Sequence, residues 1–126
     1  MNLIAFAALA LNIAVSASVP SRVEPVRIGV HGEPDLDACL SVGRTTSAVA
    51  ARLAPSDSAA ISVSLLVNQE LYLCGSSPDG EWESVVIPSK AGQDCGVSTP
   101  VTEPTIYTGP CRSGWLPSKH IQVVAG

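Results

Sequence analysis

The sequence predicts a small all-β domain locked by disulfides, and three observations carry that expectation. Past an apolar opening segment, the chain breaks into short runs of aliphatic and β-branched residues bounded by Gly, Pro, Asn, Asp and Ser. No run beyond that opening sustains the 3.6-residue apolar period of a helix longer than one or two turns. Four Cys in a chain of 126 residues that opens with an apolar segment read as two bridges made in an oxidising compartment.

The opening segment, residues 3–15, is apolar apart from Asn12 and runs into Val15-Ser16-Ala17, a small-residue pattern suited to signal-peptidase cleavage. A bilayer span takes about 20 apolar residues, so this stretch predicts a cleaved signal peptide over 1–17 and no integral span after cleavage. No Cys follows it directly, so lipid attachment is not indicated. The expected location is periplasmic or secreted.

Residues 18–37 carry Pro20, Pro25 and Pro34 with Gly29 and Gly32, and read as an extended arm with room for a short strand at 26–30. Strand-like runs follow at 48–53, 61–65, 71–74, 81–87, 114–117 and 121–124. The Ala-rich composition of 48–53 also suits a helix. Between the third and fourth runs, Pro78-Asp79-Gly80 is the order of a tight turn, so 71–74 and 82–87 should pair as a hairpin. Residues 88–113 hold four Pro and two Cys and read as a long stapled loop.

Cys39, Cys74, Cys95 and Cys111 are never closer than 16 positions, and no Cys-x-x-Cys occurs, so zinc spacing is absent and disulfides are expected. Four Cys allow three pairings. Cys95 with Cys111 is favoured because it closes the Pro-rich excursion, which leaves Cys39 with Cys74. In the chain-entropy account, closing a loop of about 15 residues is worth roughly 3 kcal/mol. That is a large share of stability for a mature chain with two Trp, two Tyr and no Phe beyond the leader.

The strands and turns also fall into a familiar order. Arg52-Leu53-Ala54-Pro55-Ser56, Leu65-x-x-Asn68, Leu71-Tyr72-Leu73, Gly80-Glu81-Trp82-Glu83-Ser84-Val85, Gly114-Trp115-Leu116 and Ile121 resemble the bacterial SH3 (SH3b) pattern. The Cys positions resemble its exported, single-domain, four-cysteine subgroup: Asp37-Ala38-Cys39, the end of Leu71-Tyr72-Leu73-Cys74, Asp94-Cys95-Gly96 and Gly109-Pro110-Cys111. The resemblance implies an SH3-like barrel of about five to six short strands over 38–126. It also implies a non-catalytic binding role toward a cell-wall peptide or an envelope protein. Asn68 stands where the family has Gly, which calls for a positive φ that Asn tolerates best among residues with a side chain. Residues 54–60 lack the family's Gly-Pro.

Four aromatic residues are the candidate ligand surface: Tyr72, Trp82, Tyr107 and Trp115. Each has a plainer role in fixing the sheet, most of all the two Trp. Glu81 and Glu83, two apart, would share one strand face, and an exposed face explains them without acid–base work. His31 and His120 have no free thiol to partner if all Cys are bridged, so no catalytic residue, cofactor or metal is assigned. A net charge of −4 with seven scattered Lys and Arg argues against a nucleic-acid partner. A rival role is that of a secreted inhibitor or effector-neutralising protein inserting the stapled loop 88–113 into a partner's cleft, since a rigid loop loses little entropy on binding.

Overall fold

A computed structural model describes residues 22–29 and 35–126. The expected signal peptide, the start of the arm, and residues 30–34 with His31 lie outside the described residues. The elements are β1 (Arg27–Ile28), β2 (Ser41–Thr45), β3 (Val49–Arg52), β4 (Ile61–Leu65), β5 (Glu70–Ser76), β6 (Trp82–Ile87), β7 (Thr105–Ile106), β8 (Arg112–Pro117), a 3-10 turn (Ser118–His120) and β9 (Ile121–Ala125). All ladders are antiparallel. One sheet has the order β4-β3-β8-β6-β5-β2-β9, and β1 pairs with β7 in a second, two-stranded sheet.

The fold is therefore all-β, as the sequence predicts, but the expected closure into a barrel is not met. No ladder joins the outer strands β4 and β9. The β3–β4 hairpin joins the ladder through a single register pair, Arg52 with Trp115, and is fastened to β8 also by Ser62 Oγ to the Ser113 carbonyl and Arg112 Nη2 to the Ser62 carbonyl, both at 2.7 Å.

The strand expected at 48–53 forms over Val49–Arg52, where pairing with β4 and β8 overrides the helix preference of its alanines. Two strands were not legible in the sequence. β2 has only one large apolar residue, Val42, and its Gly43 suits a turn by composition. Gly43 is there because strands crowd it: a Cβ would lie 3.0 Å from the Gln122 carbonyl and from Ile121 Cγ2, and 3.2 Å from Leu73 Cδ1. β7 is two residues long and exposed, and exists only as the partner of β1.

Alternation along the central strands builds two apolar clusters, one on each face of the sheet. Leu71 and Leu73 of β5, Val85 and Ile87 of β6, and Leu116 of β8 join Ala51 and Leu65 on one face. Val86 and Trp115 face the other way, where Tyr72 and Cys74 pack with them. Strands that are apolar on both faces need both faces covered. The second cover is made of the arm and the long loop: Val26, Ile28, Ala38, Cys39, Cys95, Val97 and Tyr107 belong to the same cluster as Val86 and Trp115.

Residues 24–29 are thus part of the folded unit and not a tether. Val26 and Ile28 are 4% and 6% exposed, and burying each is worth about 2 kcal/mol. Net gains of about 1 kcal/mol per hydrogen bond are smaller, so packing holds the segment and its bonds set its register. Those bonds include Tyr107 N–H to the Val26 carbonyl (2.9 Å), Glu24 N–H to the Leu53 carbonyl (2.9 Å), Gly29 N–H to the Ala38 carbonyl (2.8 Å) and the Trp115 indole N–H to the Glu24 carbonyl (2.8 Å).

Both disulfides sit in this cover. Cys39–Cys74 fastens it to β5, and Cys95–Cys111 closes the neck of the loop. Inside that neck the Tyr107 hydroxyl donates to the Cys95 carbonyl (2.8 Å) and accepts from the Cys111 amide (3.0 Å). Two bridges agree with an oxidising, extracytoplasmic setting. Replacing Cys39 and Cys74 together by Ser is expected to remove about 4 kcal/mol of unfolding free energy in urea titrations, against about 3 kcal/mol for the shorter Cys95–Cys111 loop. Equal stability of bridged and unbridged chains would contradict the account.

Candidate functional site

The four aromatic candidates do not converge on one surface. Tyr107 and Trp115 are 9% and 6% exposed and are committed by their hydrogen bonds to the loop neck and the arm. Tyr72 is half-buried and borders a shallow groove with Leu40, Val42 and Ala125. Trp82 stands among charged groups drawn from several elements. It lines a groove of about 200 Å³ with Asp57, Glu81, Pro117, Ser118 and Lys119.

Trp82 opens β6 and lies opposite Pro117 in the β6–β8 ladder, which brings indole and pyrrolidine side by side. Each wall of the groove is held by its own bonds. The 3-10 turn carrying Lys119 is pinned to the hairpin tip, since Ser118 donates from its amide to the Glu81 carbonyl and from Oγ to the Gly80 carbonyl, both at 2.8 Å. The loop carrying Asp57 is closed by the Leu53 amide to the Ala60 carbonyl and by Arg52 Nη1 to the Ala59 carbonyl, both at 2.9 Å. The groove is thus preformed, with two carboxylates and one ammonium around a half-buried aromatic face.

The hairpin tip has the expected Pro-Asp-Gly turn. Asp79 Oδ1 accepts from Ser77 Oγ (2.6 Å) and from the Glu81 amide (2.9 Å), and Gly80 takes φ +75°. Ser77 Oγ in turn accepts from the Trp82 amide (3.1 Å), so the turn's polar network reaches the groove's aromatic residue. Asn68 takes φ +65° in the β4–β5 turn, as the Gly it stands for would. Its amide donates to the carbonyl of Thr45, a buried residue whose own Oγ1 donates to the Leu66 carbonyl.

Glu81 and Glu83 take separate roles. Glu83 accepts from Ser76 Oγ through both carboxylate oxygens (3.0 and 2.8 Å), whereas Glu81 precedes β6 and lines the groove. His120 Nδ1 lies 3.2 Å from Ser47 Oγ, and all four Cys are bridged. The loop 88–113 turns Cys95, Val97 and Tyr107 inward and leaves mostly polar residues outside.

Sequence reasoning picked out Trp82 and missed Pro117, Ser118, Lys119 and Asp57. Leu116-Pro117-Ser118-Lys119 directly after Trp115 was a readable signal for a wall facing the β6 start, but pairing Trp82 with Pro117 required the register. No family model, curated protein or solved structure matches the chain, so the reading of this groove rests on its geometry and on the sequence resemblance.

The Ser77 hydroxyl, with the Glu81 amide behind it, holds the Asp79 carboxyl below its ordinary value of 3.8. A depressed carboxyl stabilises the fold above the unfolded value, and that contribution is lost as pH falls through the folded one. Asp79→Ala is therefore expected to lower the thermal midpoint at neutral pH, with the gap to wild type closing as pH falls below 3.8. A gap that stays constant down to strongly acidic pH would contradict this role.

Proposed function

We propose that the protein is a non-catalytic, exported binding module of the SH3b type that holds a short cell-envelope peptide, a peptidoglycan stem peptide, in the groove at Trp82. The SH3-like reading is supported by where the quoted motifs fall. Ala54-Pro55-Ser56 follows the end of β3, the turn at Asn68 leads into β5, Trp82 opens β6, and Gly114-Trp115 lies within β8. The sheet is an open variant of that design, with the disulfide-stapled layer laid over one face.

The observation that carries the ligand assignment is the company Trp82 keeps: Pro117 beside it, Asp57 and Glu81 on one side of the charge balance and Lys119 on the other. A stem peptide offers small side chains for a groove of about 200 Å³, ammonium groups for the carboxylates and a carboxylate for the ammonium. The aromatic face supplies contact area at small entropic cost. Periplasmic or secreted location belongs to the same proposal and is supported by the two bridges. The inhibitor role is less well supported, because the stapled loop spends its apolar residues on the protein's own sheet.

Sedimentation of the purified mature chain with peptidoglycan sacculi tests the proposal. The wild type is expected in the pellet, and Trp82→Ala, less stable because Trp82 packs against the covered cluster but still folded at the assay temperature, is expected to bind about tenfold or more weakly, the usual scale for losing an aromatic anchor. Full recovery of the wild type in the supernatant at every salt concentration would overturn it.

A further inference from the structure

A second groove, of about 540 Å³, lies between the arm and the β5–β6 hairpin, away from Trp82. That volume is within the range of small-ligand sites. Trp115 forms its floor, Pro25 and Pro104 stand on the arm and loop side, and Cys74 and Gly75 form the strand side. The groove exists because of an irregularity in the sheet. The β5–β6 register shifts between Leu73 and Gly75, leaving one extra residue on β5. Bulges of this kind are over-represented beside functional sites. Cys74, at the bulge, is tied by its disulfide to Cys39. Gly75 keeps the slot empty of side chain, and a Cβ there would come 3.1 Å from Ser84 Oγ.

Several of the polar groups around the slot are committed. The Trp115 indole N–H is used by the Glu24 carbonyl, and at 6% exposure only an edge of its ring reaches the groove. The Glu24 carboxylate pairs with Arg22 at 3.1 Å, and Ser76 Oγ donates to Glu83. Arg27 differs. It is exposed at the groove, and among the described residues its guanidinium makes no ion pair or hydrogen bond. An apolar floor with one uncommitted guanidinium at its mouth is complementary to a compact apolar body ending in a carboxylate, which the planar fork can take through two parallel bonds.

We infer that this groove is a second binding site, for the C-terminal end of an apolar peptide. Its side chains lie on Trp115 between Pro25 and Pro104, and its terminal carboxylate lies on Arg27. The site is independent of the Trp82 groove and shares no lining residue with it.

The test uses the mature chain carrying Trp82→Phe, so that Trp115 is the one remaining tryptophan, titrated with acetyl-Leu-Leu bearing a free carboxylate and with its amide. The free acid is expected to change Trp115 emission saturably and to bind about tenfold more tightly than the amide, the scale of one charge-assisted contact. Arg27→Gln is expected to erase that preference, and Lys119→Gln, in the other groove, to keep it. In wild-type protein, amide resonances of Gly75 and Ser84 should shift with the acid, giving the same reading without any Trp substitution. Equal binding of acid and amide, an Arg27→Gln chain that retains the preference, or no saturable change into the millimolar range would each overturn the inference. Sacculus sedimentation depends on Trp82 and these titrations depend on Arg27, so either reading can fail alone.

Discussion

The cover over the second face of the sheet is the constraint on which the rest depends. β5, β6 and β8 carry apolar side chains on both faces, so the sheet cannot stand as a one-sided layer. Among the described residues, what closes the exposed side has little regular structure of its own beyond the two-residue ladder between β1 and β7. Such a layer pays a high entropic cost for few backbone bonds. Two disulfides offset this by restricting the unfolded chain, and Val26, Ile28, Val97 and Tyr107 add burial that a bare loop would not.

The same arrangement places the chemistry. With the inner cluster fixing the strand register, Trp82 is held opposite Pro117, and the turns on either side are locked by Asp79 and Ser118. Where cover and sheet meet imperfectly, at the bulge next to Cys74, a slot remains with Arg27 at its mouth. One groove therefore lies at the end of the sheet and the other at the seam between sheet and cover. Each takes its rigidity from contacts that also stabilise the fold, which lowers the ordering cost of binding.

Much of this was legible in the chain. Alternating runs located β3, β4, β5, β6, β8 and β9, Pro78-Asp79-Gly80 located a turn, and Asn68 announced a positive φ. The Cys95–Cys111 bridge followed from the loop it closes. The rest depended on tertiary context. Gly43 reads as a turn residue until Ile121 and Leu73 are seen to crowd it. The arm reads as an extended segment because Val26 and Ile28 are isolated apolar residues among Pro and Gly, and the cluster that buries them, with Val86, Val97, Tyr107 and Trp115, is assembled from residues far along the chain. Aromatic type says nothing about which face is covered, so the burial of Tyr107 in the loop neck and of Trp115 under the arm was not readable. Lack of barrel closure was unreadable for the same reason, since strand order at the sheet's ends depends on pairings that no local pattern specifies.

Native-state amide hydrogen exchange measures the standing of the cover most directly, because residues that open only with the whole fold exchange at the global unfolding free energy. The amides of Ala38, Cys39 and Tyr107, which bond to the Thr99, Val97 and Val26 carbonyls, should be as protected as those of Leu73 and Val85 in the central hairpin. Rapid exchange at those three amides, with Leu73 and Val85 still protected, would show a loose flap over a self-sufficient sheet and would contradict the account.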